Sequence, residues 1–319
     1  MDHALRDGCN VTAVAEKNDP SVHTLLTPHA SSDQQSPTEP RHEAALAETW
    51  VKSFRPEGTS PPLFCACAGG GDALDYCDLA LALPEDQPVH VFGVPPYLAG
   101  EGFPTVQRLA AIYVHEVRRR QPHGPYRLCG HSFGGLVVYE MAVLLAEEGE
   151  EVGMVALLDT LHPAFRRGMS SKQRRQFQAT YIANRLAKYG RNLANGQIYR
   201  IALDISKFAW NSCKRSAWRV AGIAFDKLNR PIPNAIRSDE LLLFAAWHGY
   251  DPSSYAGRLV LLNATDRPPE YGSDDTLGWK TCANGAIDIH IVPGDHYTIM
   301  HPPHVQTLIE RIAPYLVRT

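Results

Sequence analysis

Ser132 lies in the run G-H-S-F-G-G at residues 130–135, between the apolar stretch Tyr126–Cys129 and the helix-periodic stretch Leu136–Glu147. A serine framed as Gly-x-Ser-x-Gly, after a strand and before a helix, is the pattern of a nucleophile elbow. The serine occupies a tight, strained turn, and side chains on the flanking Gly130 and Gly134 would collide within it. In that setting the Ser132 hydroxyl stands at the edge of a sheet. The helix that follows points its positive end at a reacting carbonyl, and the Phe133 backbone N–H becomes one oxyanion donor.

Serine is a weak nucleophile by itself, so this chemistry needs a base within hydrogen-bond reach and an acid to orient the base. Fourteen histidines compete for the first role. His296, in V-P-G-D-H-Y, follows the last strand-like run and precedes the last helical one, which opens its loop on the same sheet edge as Ser132. His301 and His304 stand close behind it, and His131, beside the serine, reads as a packing residue. Two aspartates end strand-like runs: Asp159 in A-L-L-D-T and Asp266 in N-A-T-D-R. Both keep the chain order Ser, Asp, His, and either could instead cap a turn, so the pattern alone leaves the acid open. The A-G-G-G-D loop after L-F-C-A-C allows close backbone approach to a substrate, which makes Gly69 the expected second oxyanion donor.

Elements that could position these residues follow from Leu63 onward. Short apolar runs, L-F-C-A-C, V-H-V-F-G-V, Y-R-L-C-G, M-V-A-L-L-D, R-L-V-L-L-N and I-D-I-H-I-V, fit strands buried on both faces. Between them Val106, Leu109, Ala110, Tyr113, Val114 and Val117 recur at helical spacing, as do apolar residues of the final H-V-Q-T-L-I-E-R-I-A-P-Y-L. Alternating strands and helices imply an α/β fold with a mainly parallel central sheet flanked by helices. The rhythm breaks over residues 161–237, where helical segments follow one another, so a helical lid inserted after a strand is expected there. Residues 1–41, rich in Ser, Thr, Pro, Asp and Gln without periodicity, are expected to form a flexible leader, and residues 42–319 one catalytic domain. The segment E-A-A-L-A-E-T-W at 43–50 reads as a helix leading into the first strand.

The 319 residues are 44% hydrophobic and 20% charged, ordinary for a globular protein. No apolar stretch reaches the roughly 18 residues of a membrane-spanning helix, and the N-terminus has no signal-peptide core, so a cytoplasmic protein without stable membrane insertion is expected. Seven cysteines without paired spacing read as buried reduced thiols. The absence of C-x-x-C and H-E-x-x-H patterns predicts no metal, and no cofactor is expected.

These blocks together resemble the type I thioesterase domains that release products from nonribosomal peptide and polyketide synthases, within the α/β-hydrolase superfamily. The resemblance runs over about residues 52–316. It rests on F-R-P-E-G-T-S-P-P-L-F, G-P-Y-R-L-C-G-H-S-F-G-G-L-V-V-Y-E-M-A, A-L-L-D-T, G-W-K and V-P-G-D-H-Y-T-I-M. It implies an α/β-hydrolase fold and a serine thioesterase. An acyl or peptidyl chain would pass from a carrier-protein phosphopantetheine thioester to Ser132, and then to water or to a hydroxyl or amine nucleophile. It favours Asp159 as the acid and keeps Asp266 as the alternative. One departure concerns Cys67 and Ala68, where relatives usually carry His-Pro, which loosens the Gly69 assignment and leaves Cys67 as a weak alternative nucleophile. Two other functions fit the residues: a carboxylesterase or acyltransferase acting on small free esters, and a non-catalytic hydrolase-fold binding protein.

Charge adds a partner. Between Leu161 and Arg230 fifteen Lys and Arg face only Asp204 and Asp226, a net of +13, in a chain that nets −3. Such a basic, aromatic-interleaved lid reads as a solvated face, a membrane-contacting surface, or a docking site for an acidic acyl or peptidyl carrier protein; no nucleic-acid partner is expected.

Overall fold

The computed structural model describes residues 11–12, 50–95, 105–168, 171, 175, 179, 243, 246–247, 249–267 and 274–317. The helix expected at 43–50 and nearly all of the lid expected at 161–237 lie outside them. So does most of the leader expected at 1–41.

Eight strands form one sheet in the order β1-β2-β4-β3-β5-β6-β7-β8. They are β1 (Val11–Thr12), β2 (Val51–Phe54), β3 (Leu63–Ala66), β4 (Val89–Phe92), β5 (Tyr126–His131), β6 (Val152–Leu158), β7 (Leu259–Ala264) and β8 (Ile287–Val292). From β4 to β8 every pairing is parallel, and only β1 and β2 run antiparallel to their neighbours. This is the α/β architecture expected from the alternating pattern.

The helices are α1 (Cys77–Ala82), α2 (Val106–Arg120), α3 (Phe133–Glu147), α4 (Pro163–Gly168) and α5 (His304–Leu316). α2 starts where the Thr105 hydroxyl accepts the Arg108 N–H at 3.1 Å, and ends on Arg118, Arg119 and Arg120, whose charges suit the negative end of the helix. Val106, Leu109, Ala110, Tyr113, Val114 and Val117 are its buried face, as their spacing predicts. α3 is buried on nearly all sides, because α2 and Leu243, Ala246, Tyr250 and Tyr255 share its apolar core. α2 and α3 pack on one face of the sheet and α1 and α5 on the other, giving two apolar cores.

Four observations depart from the sequence expectations. β2 carries only the short run V-K-S-F and pairs antiparallel with β4, too brief a signal to stand out. Val11–Thr12, inside the segment expected to be a flexible leader, pairs through its main chain with β2, whose open edge accepts any extended dipeptide. β8 is not buried on both faces: it is an edge strand with Ile289 and Ile291 exposed. Cys65, Cys129 and Cys282 are buried thiols and Cys67 is buried, but Cys77 is disulfide-bonded.

The sheet's strand order creates the site. The chain leaves β3 toward β4 on one side and continues at β5 on the other, so the segments that follow the carboxyl ends of β3 and β5 pack on opposite faces of the sheet and leave a crevice between them. In open α/β sheets ligands bind at such a switch point. The A-G-G-G-D loop follows β3, and Ser132 follows β5.

Candidate active site

Ser132 directly precedes α3 with φ 56° and ψ −117°, a backbone region that side-chain-bearing residues avoid. Its surroundings hold it there. The Ser132 N–H donates to Leu158 O at 3.0 Å, and Gly135 N–H donates to Ser132 O at 3.2 Å. A Cβ on Gly130 would overlap the Gly134 carbonyl, and one on Gly134 would overlap the Ala66 carbonyl oxygen at the end of β3. Both glycines are therefore required by close backbone approach, and neither by a positive φ. Tyr76, fully buried, ties the same two strand ends: it accepts the His131 N–H at 2.8 Å and donates to Ala66 O at 2.8 Å.

His296 reaches this turn from the loop after β8. Asp295 caps that loop, its carboxylate accepting the Tyr297 and Thr298 N–H groups at 2.9 Å each. The Ser132 hydroxyl lies 3.0 Å from His296 Nε2, and His296 Nδ1 lies 2.6 Å from Asp159 Oδ2. With the imidazole neutral, Nδ1–H donates to the carboxylate and Nε2 is left to accept the serine proton.

Asp159 follows β6 with φ 43° and is held by the next strand. Its N–H donates to Leu262 O at 2.8 Å, and its Oδ1 accepts the Ala264 N–H at 3.1 Å. Burial pulls its carboxyl upward, but the hydrogen bond and charge of His296, together with the Ala264 N–H, outweigh burial and hold it below the ordinary carboxylate range. It stays ionised beside the imidazole. Asp266 has the opposite setting: it is exposed, its N–H donates to Gly294 O at 2.9 Å, and among the described residues its carboxylate has no hydrogen-bond partner. Ser132, His296 and Asp159 are thus brought together, and Asp266 is left out.

Phe133, at the first position of α3, lies across the crevice from the β3 loop. A Cβ on Gly69 would sit 3.8 Å from Phe133 Cβ, so the two expected oxyanion donors are neighbours. Cys67 directly follows β3 in a buried position, its N–H donating to Phe92 O at 2.9 Å. His301 is taken up by Asp78, with Nδ1 2.7 Å from Oδ2. His131 makes a contact that reading it as packing missed: its Nε2 lies 2.8 Å from His296 O. No sequence signal announces the Tyr76 and His131 contacts: His131 reads as a packing residue, and Tyr76 stands in no motif. Trp279, from the G-W-K block, donates its indole N–H to Thr160 O at 2.8 Å, beside Asp159. Among the described residues no group of His, Cys, Asp and Glu is arranged to hold a metal ion.

Residues 61–194 match the thioesterase domain family model, a span that contains the elbow and Asp159. Over that span the chain is similar to thioesterase domains. Over 260 residues and 81% of its length, the chain is 28% identical to malpinin synthetase of Mortierella alpina. It is 26% identical over 250 residues to the dimodular nonribosomal peptide synthase of Bacillus subtilis, covering 78% of this chain. The chain spans only 3% and 10% of those two proteins. Among solved structures, the NocB thioesterase domain in covalent complex with a fluorophosphonate nocardicin G analog matches 84% of this chain and 100% of its own, with TM-score 0.56 and 26% identity. The surfactin-cyclising domain SrfTE, at 16% identity and TM-score 0.51, shares the fold. No described helix of the chain is long and apolar enough to cross a membrane.

Proposed function

We propose that this thioesterase uses Ser132 as nucleophile, His296 as general base and then general acid, and Asp159 as the acid that orients His296. The carrying observation is the continuous hydrogen-bonded line Ser132–His296–Asp159, 3.0 Å and 2.6 Å long, within a thioesterase-family chain. Ser132 attacks the thioester carbonyl as His296 takes its proton. The Phe133 and Gly69 N–H groups receive the oxyanion, and His296 protonates the departing thiol. Water, or a hydroxyl or amine of the acyl chain or of another acceptor, then attacks the acyl-enzyme by the same steps in reverse. The substrate in this reading is an acyl or peptidyl chain on the phosphopantetheine arm of a carrier protein, and the multidomain synthetases among the relatives support it. No cofactor of the enzyme's own takes part in these steps.

The basic segment 161–230 supports docking of an acidic carrier protein there. On that basis kcat/KM for a carrier-bound substrate falls steeply with added salt, while that for a small thioester does not; equal salt sensitivity contradicts the docking.

Fluorophosphonate labelling followed by intact mass tests the chemistry. Stoichiometric modification is expected, abolished in Ser132→Ala, with turnover reduced on the order of 10⁶-fold. A native chain that does not label would favour a binding protein. Comparison of a carrier-loaded chain with a free ester then separates a thioesterase from an esterase.

A further inference from the structure

The His296 loop is tied down on both sides of the histidine. Before it, Thr265 N–H and Asp266 N–H donate to Val292 O and Gly294 O at 2.9 Å each; after it, Asp295 holds Tyr297 and Thr298. The His296 carbonyl itself is met, among the described residues, by one group only, Nε2 of His131 at 2.8 Å. A carbonyl can only accept, so His131 Nε2 carries the proton and donates it. The two imidazole rings lie 4.7 Å apart with planes tilted by 37°. The His131 main chain is anchored in turn, through Tyr76, to the end of β3. One residue therefore joins the strand that carries the nucleophile to the loop that carries its base.

We propose that His131 is the positioning residue of His296, a neutral N–H clamp on the His296 carbonyl that sets the distance from its ring to Ser132. This rests on reading Ser132, His296 and Asp159 as the triad. Burial first, and the neighbouring His296 charge second, push the His131 imidazole down to about 3; the bond to the His296 carbonyl and the Asp159 charge oppose them, and His301 adds a little to the fall. The Tyr76 hydroxyl accepts the His131 main-chain N–H. At working pH His131 is therefore a neutral donor: it does not compete for the serine proton and adds no positive charge against the imidazolium that forms on His296. A ring that merely filled space would need no donor.

Three variants separate the two roles. His131→Phe keeps a ring and loses the donor. His131→Gln keeps an N–H at about the reach of Nε2, whereas His131→Asn carries one that falls short. With a short acyl-N-acetylcysteamine thioester, kcat in the Phe and Asn variants should fall about 10- to 100-fold while KM stays nearly constant, since displacement of a base by about 1 Å costs on that order. His131→Gln should recover most of the loss. Rates are taken at a temperature where each variant is folded and are normalised to sites titrated by fluorophosphonate. The acidic limb of kcat/KM should keep its midpoint in His131→Gln, and the low-field proton resonance of the His296–Asp159 bond should persist there and broaden in His131→Phe. A Phe variant as fast as the native chain, equal losses in Gln and Phe, or a moved acidic limb in Gln would overturn the clamp. A native chain that neither labels nor turns over would overturn the triad reading instead.

Discussion

Two aspartates end adjacent parallel strands, Asp159 after β6 and Asp266 after β7, and they end up doing opposite things. At the β6 end the carboxylate is buried, accepts an N–H from β7 and meets His296 at 2.6 Å. At the β7 end the side chain is exposed and the main chain is used instead, donating to Gly294 O in the loop that presents His296. Strand order separates them. β6 lies directly beside β5, which carries Ser132, and β7 lies one strand further away, about 4.8 Å per step. One imidazole can span Ser132 and an acid on the adjacent strand. The end of β7 serves that acid indirectly, through Leu262 O and Ala264 N–H.

The largest expected effect tests that contrast directly. Asp159→Asn should lower kcat on the order of 10⁴-fold by removing the group that holds the His296 tautomer, whereas Asp266→Asn should leave kcat unchanged in the same assay. A large loss in Asp266→Asn would reverse the assignment.

Next comes the support beneath Asp159. Trp279→Phe leaves the buried Thr160 carbonyl without the indole N–H it meets at 2.8 Å. It should cost about 1–3 kcal/mol in denaturant unfolding. A change below about 0.5 kcal/mol would show that this bond does not hold the β6 end.

The pH dependence of stability gives a third test. Because the folded-state carboxyl of Asp159 lies below its unfolded value, its contribution is present above about pH 4 and is lost as pH falls through the lower folded value. Acidification from about pH 5 should therefore lower the native Tm more steeply than that of Asp159→Asn. Parallel curves would contradict the depressed carboxyl.

The smallest effect is expected at the β7 end. Asp275→Asn removes the partner 2.7 Å from Arg267, in an exposed pair that should be worth about 0.2–1 kcal/mol. A loss comparable to that of Trp279→Phe would remove the distinction between the two ends.

Much of this was legible in the chain. Six strands, the elbow and the His296 loop follow from local runs, because a strand buried between helix layers must be apolar throughout and a helix must repeat its apolar residues every three or four positions. β2 and β1 escaped because short antiparallel edge strands need little apolar signal. The exposure of β8 escaped because an edge strand can be as rich in isoleucine as a central one. Tyr76 and His131 look like ordinary core residues; their contacts span 55 and 165 positions of chain and have no local signature.

By itself the sequence determined the chemistry on offer: a serine framed by glycines between a strand and a helix, a histidine on a late loop, two candidate acids, and a segment, 161–230, bearing a net charge of +13. Residue type and short-range spacing suffice for these, because they depend on backbone geometry within a few positions. The tertiary structure alone decided which aspartate meets His296, that His131 Nε2 meets the His296 carbonyl, and that Gly134 must be glycine to pass the Ala66 carbonyl. Those outcomes depend on which strands lie side by side, and strand order is set by packing over the whole sheet.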